Sequence, residues 1–479
     1  MKYRKLSRYI SGLLLVVLMG GLLCGCSLGN QTGSNDVAAM EPMEKEEVYT
    51  HSFDCIGGQD VMPIAGYYGP QIDSSSAQGQ LWPETFSDEL MQMVADCGVN
   101  LITANGANYA LYPDKTEILL DLGEKHGIGI FVRDSIVNEN VKEDTLSIEE
   151  LDERISSYRN HAAFAGVYVV DEPGIPTFRM EGDERYVSNY APLFQNLDKL
   201  NTSAYGNLLP LGRIVDAEAY KVYLNEYLDT CPVDFLSYDK YPFVDDDSLV
   251  NAAVYFKNLE LIRAAADSKK IPFWGFIQAG AQWNDAMNYF DSEGYFPGEG
   301  PFMWLVNTTL AFGAKGLQYF PLLQPKHFAY ALTEPYDFER NGLIGAWNNK
   351  NRWWYYAKEA NKQIAAIDEV LMNSVNKGVL VSGDEALETL RGNAYVLEGT
   401  SWREVKNITG DTLVSCFNYN GKSAFYVVNY DTEYAQKITL DFFDKYNMKV
   451  VQKAEEKFVN TDSLELTMSA GEGVLVVME

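Results

Sequence analysis

From about Val61 the chain repeats one unit: a short apolar run, a polar turn, then a segment whose apolar residues recur at helical spacing. The runs are MPIAGYYG (62–69), NLITANG (100–106), GIGIFVR (127–133), FAGVYVVDE (164–172), SAYGNLLP (203–210), DFLSYDKYP (234–242), PFWGFIQAG (272–280) and GLQYFPLL (316–323). Between them lie TFSDELMQMVADCG, KTEILLDLGEKHG, SIEELDERISSYRNH and NAAVYFKNLELIRAAADS, and RWWYYAKEANKQIAAIDEVLMN follows the last run. Eight strands alternating with eight helices over roughly 310 residues predict an α/β fold, a (β/α)8 barrel spanning 56–373. The rival, a doubly wound open sheet, has fewer strands and a Gly-rich first turn, whereas the first run here ends in YYGPQ.

Past Asn373 the period shortens. KGVLVSG, NAYVLEGT, TLVSCFNYN, SAFYVVNYD, QKITLDF, MKVVQKAE, SLELTMSA and EGVLVVM are short alternating runs parted by Gly, Asn and Asp. They predict a small C-terminal antiparallel β-sandwich over 374–479. The Asn-Gly in FNYNGKSAFYVVNY is a strong hairpin signal. The tyrosines Tyr395, Tyr419, Tyr426 and Tyr430 fall mostly on expected core positions; this domain is expected to buttress the barrel, with a binding module as the alternative.

The first residues read as an address. Lys2, Arg4, Lys5 and Arg8 precede an apolar run from Ile10 to Leu23, too short for a clear membrane span. The run ends in Leu23-Cys24-Gly25-Cys26, similar to a bacterial lipobox. That assigns 1–26 to a lipoprotein signal peptide with Cys26 as the lipidated residue, and 27–55 to a flexible polar tether. A plain secretory signal or a short anchor is the alternative. The expected location is outside the cytoplasm, lipid-anchored at the cell surface or an envelope membrane.

The charge narrows the partners. The sequence holds 38 Lys+Arg and 67 Asp+Glu for a net charge of −29; loss of the first 26 residues, with four basic and no acidic side chains, takes it to −33. Such a surface repels phosphate backbones, so no nucleic-acid partner is expected. The 31 Tyr and 8 Trp suit a sugar ligand, whose apolar faces stack on rings. Cys55, Cys97, Cys231 and Cys416 have no paired spacing, and His51, His126, His161 and His327 none that fits a metal, so no metal or other cofactor is expected. Acids near the barrel mouth leave a calcium ion open, and one disulfide also stays open.

In a barrel the reactive groups sit at the C-terminal strand ends. Strand four ends in Val170-Asp171-Glu172-Pro173, two carboxylates after an apolar run, which are costly unless used or paired. Strict alternation lets one of them face the mouth. The expectation is Glu172 in the pocket, with Asp171 as its support or a substrate hydrogen bonder. A capping acid pair salt-bridged to its neighbours is the structural alternative.

GVYVVDEP resembles the Asn-Glu-Pro strand end of the clan A glycoside hydrolases, with Asp171 in place of Asn. YGNLLP, FLSYDKYPF, FWGFIQAG and AFGAKGLQYF resemble uncharacterised bacterial glycoside-hydrolase-like lipoproteins. The resemblance covers about 60–370 and implies a barrel acting on glycosidic bonds, with Glu172 as acid/base. The family's nucleophile is a Glu ending strand seven, where this chain has Gln278, and an amide cannot form the glycosyl ester.

Three repairs are open. Asp239, ending strand six, is the second catalytic candidate, expected some 5–9 Å from Glu172. It is otherwise an ion-pair partner of Lys240 or Arg133. Glu293 or Glu299 could fold over the mouth. Alternatively Gln278 orients the 2-acetamido group of a substrate that supplies its own nucleophile, or binds sugar without turnover. Tyr67, Tyr68, Asn105, Arg133, Asp134, Asn207, Tyr241, Trp274, Trp283 and Tyr319 complete the expected carbohydrate pocket. The leading expectation is a monomeric, surface-anchored glycosidase that cleaves oligo- or polysaccharides; the alternative is a non-catalytic carbohydrate-binding lipoprotein on the same barrel.

Overall fold

The computed structural model describes residues 41–72, 86–138, 146–176, 185–212, 216–243, 251–280, 297–324, 342–345 and 348–479, with the backbone of a two-strand ribbon, Ser74–Ser75 and Leu81–Trp82. The expectations for Cys26, Trp283 and Glu293 fall outside these residues. Eight parallel strands close into a barrel: β1 (Ile64–Gly66), β2 (Leu101–Ile102), β3 (Gly129–Arg133), β4 (Phe164–Asp171), β5 (Ala204–Leu208), β6 (Leu236–Tyr238), β7 (Phe273–Gln278) and β8 (Leu317–Phe320), with β8 paired back onto β1. The open-sheet rival is thereby excluded.

Each strand leads to a covering helix: α1 (Asp88–Asp96), α2 (Pro113–His126), α3 (Ile148–Ile155), α4 (Val187–Lys199), α5 (Ala217–Thr230), α6 (Ala252–Lys269), α7 (Glu299–Ala311) and α8 (Arg352–Ile364). Local chemistry sets their ends. Ser147 and Glu150 form a reciprocal capping box on α3, Ser87 and Asp216 cap α1 and α5, and Pro113 starts α2. Gly127 ends α2 at φ +67°, a left-handed turn that glycine adopts without strain.

The barrel interior is aromatic at its base. Trp274 and Phe235 stack with centroids 3.8 Å apart, and Phe53 meets Trp274 and Phe131 edge-on at 5.8 Å. Phe53 comes from the segment expected to be a flexible tether through residue 55, and for 41–55 that expectation is corrected. Arg403 donates to the Glu41 carbonyl, Met43 N to the Gly421 carbonyl, and Asn418 to Glu44 and Glu46. The segment then crosses beneath the barrel, where His51 meets Ser203 and Phe53 plugs the floor. Polarity alone gave a tether; what holds the strap is backbone pairing and one buried ring.

The C-terminal strands are β9 (Ser374–Ser382), β10 (Val405–Thr409), β11 (Thr412–Tyr419), β12 (Lys422–Asn429), β13 (Gln436–Gln452), β14 (Glu455–Met468) and β15 (Gly473–Met478). They pair antiparallel in the order β9-β11-β12-β15-β13-β10, with β14 on β13. QKITLDF and MKVVQKAE are one continuous strand, β13, whose register shifts between Asp441 and Tyr446. Beyond that shift its second half pairs with β15, so Ile438, Leu440, Met448 and Val450 share one core with Val414, Phe425 and Val476. NAYVLEGT makes only a single bridge, Val396 to Val379, rather than a strand. The Asn420-Gly421 hairpin has positive φ at both residues, as the tight two-residue turn requires.

The sheet's other face lies against the barrel through α7, a helix buried on every side. Asn307 donates to the Gly471 carbonyl at 2.7 Å and accepts from Tyr426. Arg263 of α6 donates to Asn376 and lies 3.6 Å from the Tyr395 ring centroid. The buried Lys315 donates to the carbonyls of Leu371 and Ser374 where barrel passes to sheet.

Phe53→Ala would empty the barrel floor, and the expected loss is about 3–5 kcal/mol of stability. Chemical denaturation checks it: an unchanged midpoint would show that the strap does not hold the base.

Candidate functional site

Three short strands aim their side chains by simple alternation. In β5, Tyr205 and Asn207 face inward; in β6, Ser237 does, and Asp239 follows in the same phase; in β8, Gln318 and Phe320 do. β4 breaks this rule. Tyr168 pairs with Tyr205, but Val170 pairs with Gly206 and Asp171 with Asn207, so one extra residue is inserted. Val169 and Val170 both join the outer core, and Asp171 turns inward. Uninterrupted alternation favours Glu172 as the inward group; the bulge makes it Asp171.

The result is a cluster of carboxyl groups. Asn207 Nδ2 donates to Asp171 Oδ1 at 3.1 Å and to Asp239 Oδ1 at 2.9 Å, so these oxygens lie at most about 6 Å apart. Glu172 stands at the strand end with φ +49°, a left-handed conformation rare outside glycine, and its N–H donates to the Asn207 carbonyl. Tyr68, at the end of β1, has φ +64°.

Burial pushes the Asp239 carboxyl well above its usual range, and the negative charges of Glu172 and Asp171 push it further; the Asn207 hydrogen bond opposes them. Burial also raises Asp171, against hydrogen bonds from Asn207 and Tyr67 and the charge of Arg185. Tyr168 lies 3.0 Å from the Tyr67 hydroxyl, and Arg185 Nη1 donates to the Asp171 carbonyl at 2.9 Å. Beside the carboxyls runs an aromatic wall. Phe320 lies 5.4 Å from Tyr68 and 5.6 Å from Tyr241, ring centre to ring centre. The Arg133 charge reaches the same cluster through Tyr168.

Several expected pocket residues are placed elsewhere. Tyr319 points out of the barrel and donates to Asn361 of α8 at 2.6 Å, because it alternates with the inward Gln318 and Phe320. Asp134 is buried in the helix layer, held by Arg154 at 2.7 and 3.1 Å. Trp274 faces inward but at the floor, on Phe235. The Asn105 amide donates to the Phe131 carbonyl and accepts from the Ala107 N–H. Gln278 accepts from Phe243 N and donates to the carbonyls of Phe243 and Gly280, so its amide closes a turn. Glu299 is exposed in the first turn of α7.

Tyr168, Tyr205, Ser237, Gln318 and Arg185 complete the site and were not singled out from sequence. Ser237 and Tyr205 were within reach of a period-2 reading, two residues before Asp239 and Asn207. Tyr168 was also within reach, four residues before Glu172 in the same phase, whereas Arg185 depends on a loop.

Among the described residues no group of three or more His, Cys, Asp or Glu could hold a metal ion, and Cys55, Cys97, Cys231 and Cys416 are free thiols. A cavity of about 640 Å³ opens at the opposite end of the barrel, lined by His51, Cys55, Arg159, His161, Asn201 and Ser203. None of the expected site residues lines it. Ser203 donates its proton to Asp234 while His51 Nε2 approaches at 3.0 Å, so this trio lacks the serine-to-histidine proton path of a nucleophilic triad.

No protein-family model matches the chain, and no curated protein matches it. Solved structures similar to it include a beta-galactosidase from the haloarchaeon Halorubrum lacusprofundi (11% identity, 87% of this chain and 99% of that one, TM-score 0.48). Another is a GH30 endoxylanase from Clostridium papyrosolvens (12%, 90% and 99%, TM-score 0.44). A third is an Anoxybacillus alpha-amylase (10%, 88% and 98%, TM-score 0.47). At this distance each is a likeness of overall form.

A carboxyl raised by folding binds more protons folded than unfolded, so stability falls as pH rises from about 4 toward the raised value. Asp239→Asn keeps an acceptor for Asn207 and removes one such group. Its melting temperature is expected to fall less than that of the wild type between about pH 4 and pH 8. Identical pH slopes in thermal unfolding would contradict the crowding.

Proposed function

We propose that this chain is a glycoside hydrolase, anchored at an outer surface through Cys26, that cleaves oligo- or polysaccharides with the carboxyls Glu172 and Asp239. The observation that carries the reading is the meeting of Asp171, Glu172 and Asp239 at the C-terminal strand ends, where barrels place reactive groups, beside the Tyr68–Phe320–Tyr241 wall. The resemblance of GVYVVDEP to clan A strand ends points the same way.

The roles differ from the expectation in one respect. Asp239 has the surroundings of the proton donor: burial and two neighbouring charges favour its neutral form. It gives its proton to the leaving oxygen. Glu172 is the charged partner that attacks the sugar or activates water. Tyr241 and Phe320 offer the apolar sugar face a platform. Asp171, held by Asn207 and Tyr67, supports the site.

One observation favours a second reading, carbohydrate binding without turnover. Gln278 occupies the strand-seven position of the resembled family's nucleophile, and its amide is consumed by backbone.

Reducing-sugar release from a panel of glycans, with calorimetry on the same panel, separates the two. Glu172→Gln is expected to keep sugar binding and lower turnover by about 10²–10⁴-fold. Binding by the wild type without any release would favour the second reading, and wild-type turnover in the variant would remove Glu172 from the chemistry.

A further inference from the structure

We propose that Asn207 is the positioning residue of this mouth: a one-way chain of hydrogen bonds from Tyr205 through Gln318 and Ser237 fixes which way its amide faces, so that its two N–H groups hold Asp171 and Asp239 side by side. The catalytic consequence rests on the function proposed above; the chain itself does not.

Each link has one direction. Tyr205 donates to Gln318 Oε1 at 2.8 Å, Gln318 Nε2 donates to Ser237 Oγ at 2.6 Å, and Ser237 Oγ donates to Asn207 Oδ1 at 2.9 Å. With its oxygen engaged below, Asn207 presents only its NH2 group upward, one hydrogen to each carboxyl. All four relay residues are at most 2% exposed, so water does not compete. A flipped amide would set its oxygen against two acidic groups and take from the Ser237 hydroxyl the acceptor of its proton. The chain therefore transmits a choice made deep in the barrel to the mouth.

The pair stands among other titratable groups. Asp239 faces Glu172 and the rings of Tyr220 and Tyr238; Asp171 faces Tyr67, Tyr168 and Arg185. Only Asn207 bridges the two carboxyls directly among the described contacts. Loss of its orientation withdraws a donor from the charged forms, which shifts both carboxyls further toward the neutral state.

The test uses Ser237→Ala and Gln318→Leu, neither of which touches Asp171 or Asp239. Each is expected to lower kcat about tenfold with KM within about twofold, and to move the high-pH limb of the rate profile up by about half a unit, the size of one lost hydrogen bond. Each should also make the melting temperature fall more steeply with pH than in the wild type, a readout that needs no substrate. Having two variants covers the case in which one fails to fold. Unmoved pH dependence of both melting and rate in the folded variants would overturn the relay. A steeper melting profile in a protein that cleaves no glycan would uphold the relay and reject the hydrolase reading.

Discussion

The arrangement depends on crowding of like charge where water is scarce. A closed ring of parallel strands sends every inward side chain toward one axis, and β4, β5 and β6 bring Asp171, Asn207 and Asp239 to the same end of it. Three carboxyls cannot all ionise cheaply in such a place. The barrel answers with donors: Asn207 and Tyr67 to Asp171, and Asn207 again to Asp239. What is left unbalanced falls on Asp239, the group that the proposed chemistry assigns as proton donor.

The rest of the molecule keeps this geometry stiff. Phe53 and the Trp274–Phe235 stack fill the floor, so the inward strands cannot settle. Above that floor the interior turns polar through Gln318, Tyr205 and Ser237, an ordered column in place of a fully apolar core. Outside, α7 is clasped between barrel and sheet by Asn307, while Arg263 and Lys315 tie the sheet's first strand to the barrel. The sheet acts here as a brace.

Much of this was readable in the sequence because the period changes cleanly. Eight apolar runs parted by helical segments gave the barrel, and the shift to short alternating runs gave the sheet. Asn207 and Asp239 fall on one phase of β5 and β6, since those strands alternate without interruption. β4 defeated the same rule: the two valines of the bulge look like any apolar run, and only pairing with β5 reveals the extra residue. Trp274 and Tyr319 mark a different limit. Composition shows that a strand carries an aromatic ring, while depth along the barrel and the phase of the strand decide whether that ring meets a ligand, a floor or a helix. Gln278 looked like a ligand amide until the backbone of Phe243 and Gly280 proved to engage it.

The most direct test of the crowded mouth is spectroscopic. An infrared difference spectrum between the wild type and Asp239→Asn at neutral pH reports a protonated carboxyl by its carbonyl stretch. The account predicts a band from a buried, neutral acid in the wild type that the substitution abolishes. A spectrum showing only ionised carboxylate at that position would contradict it.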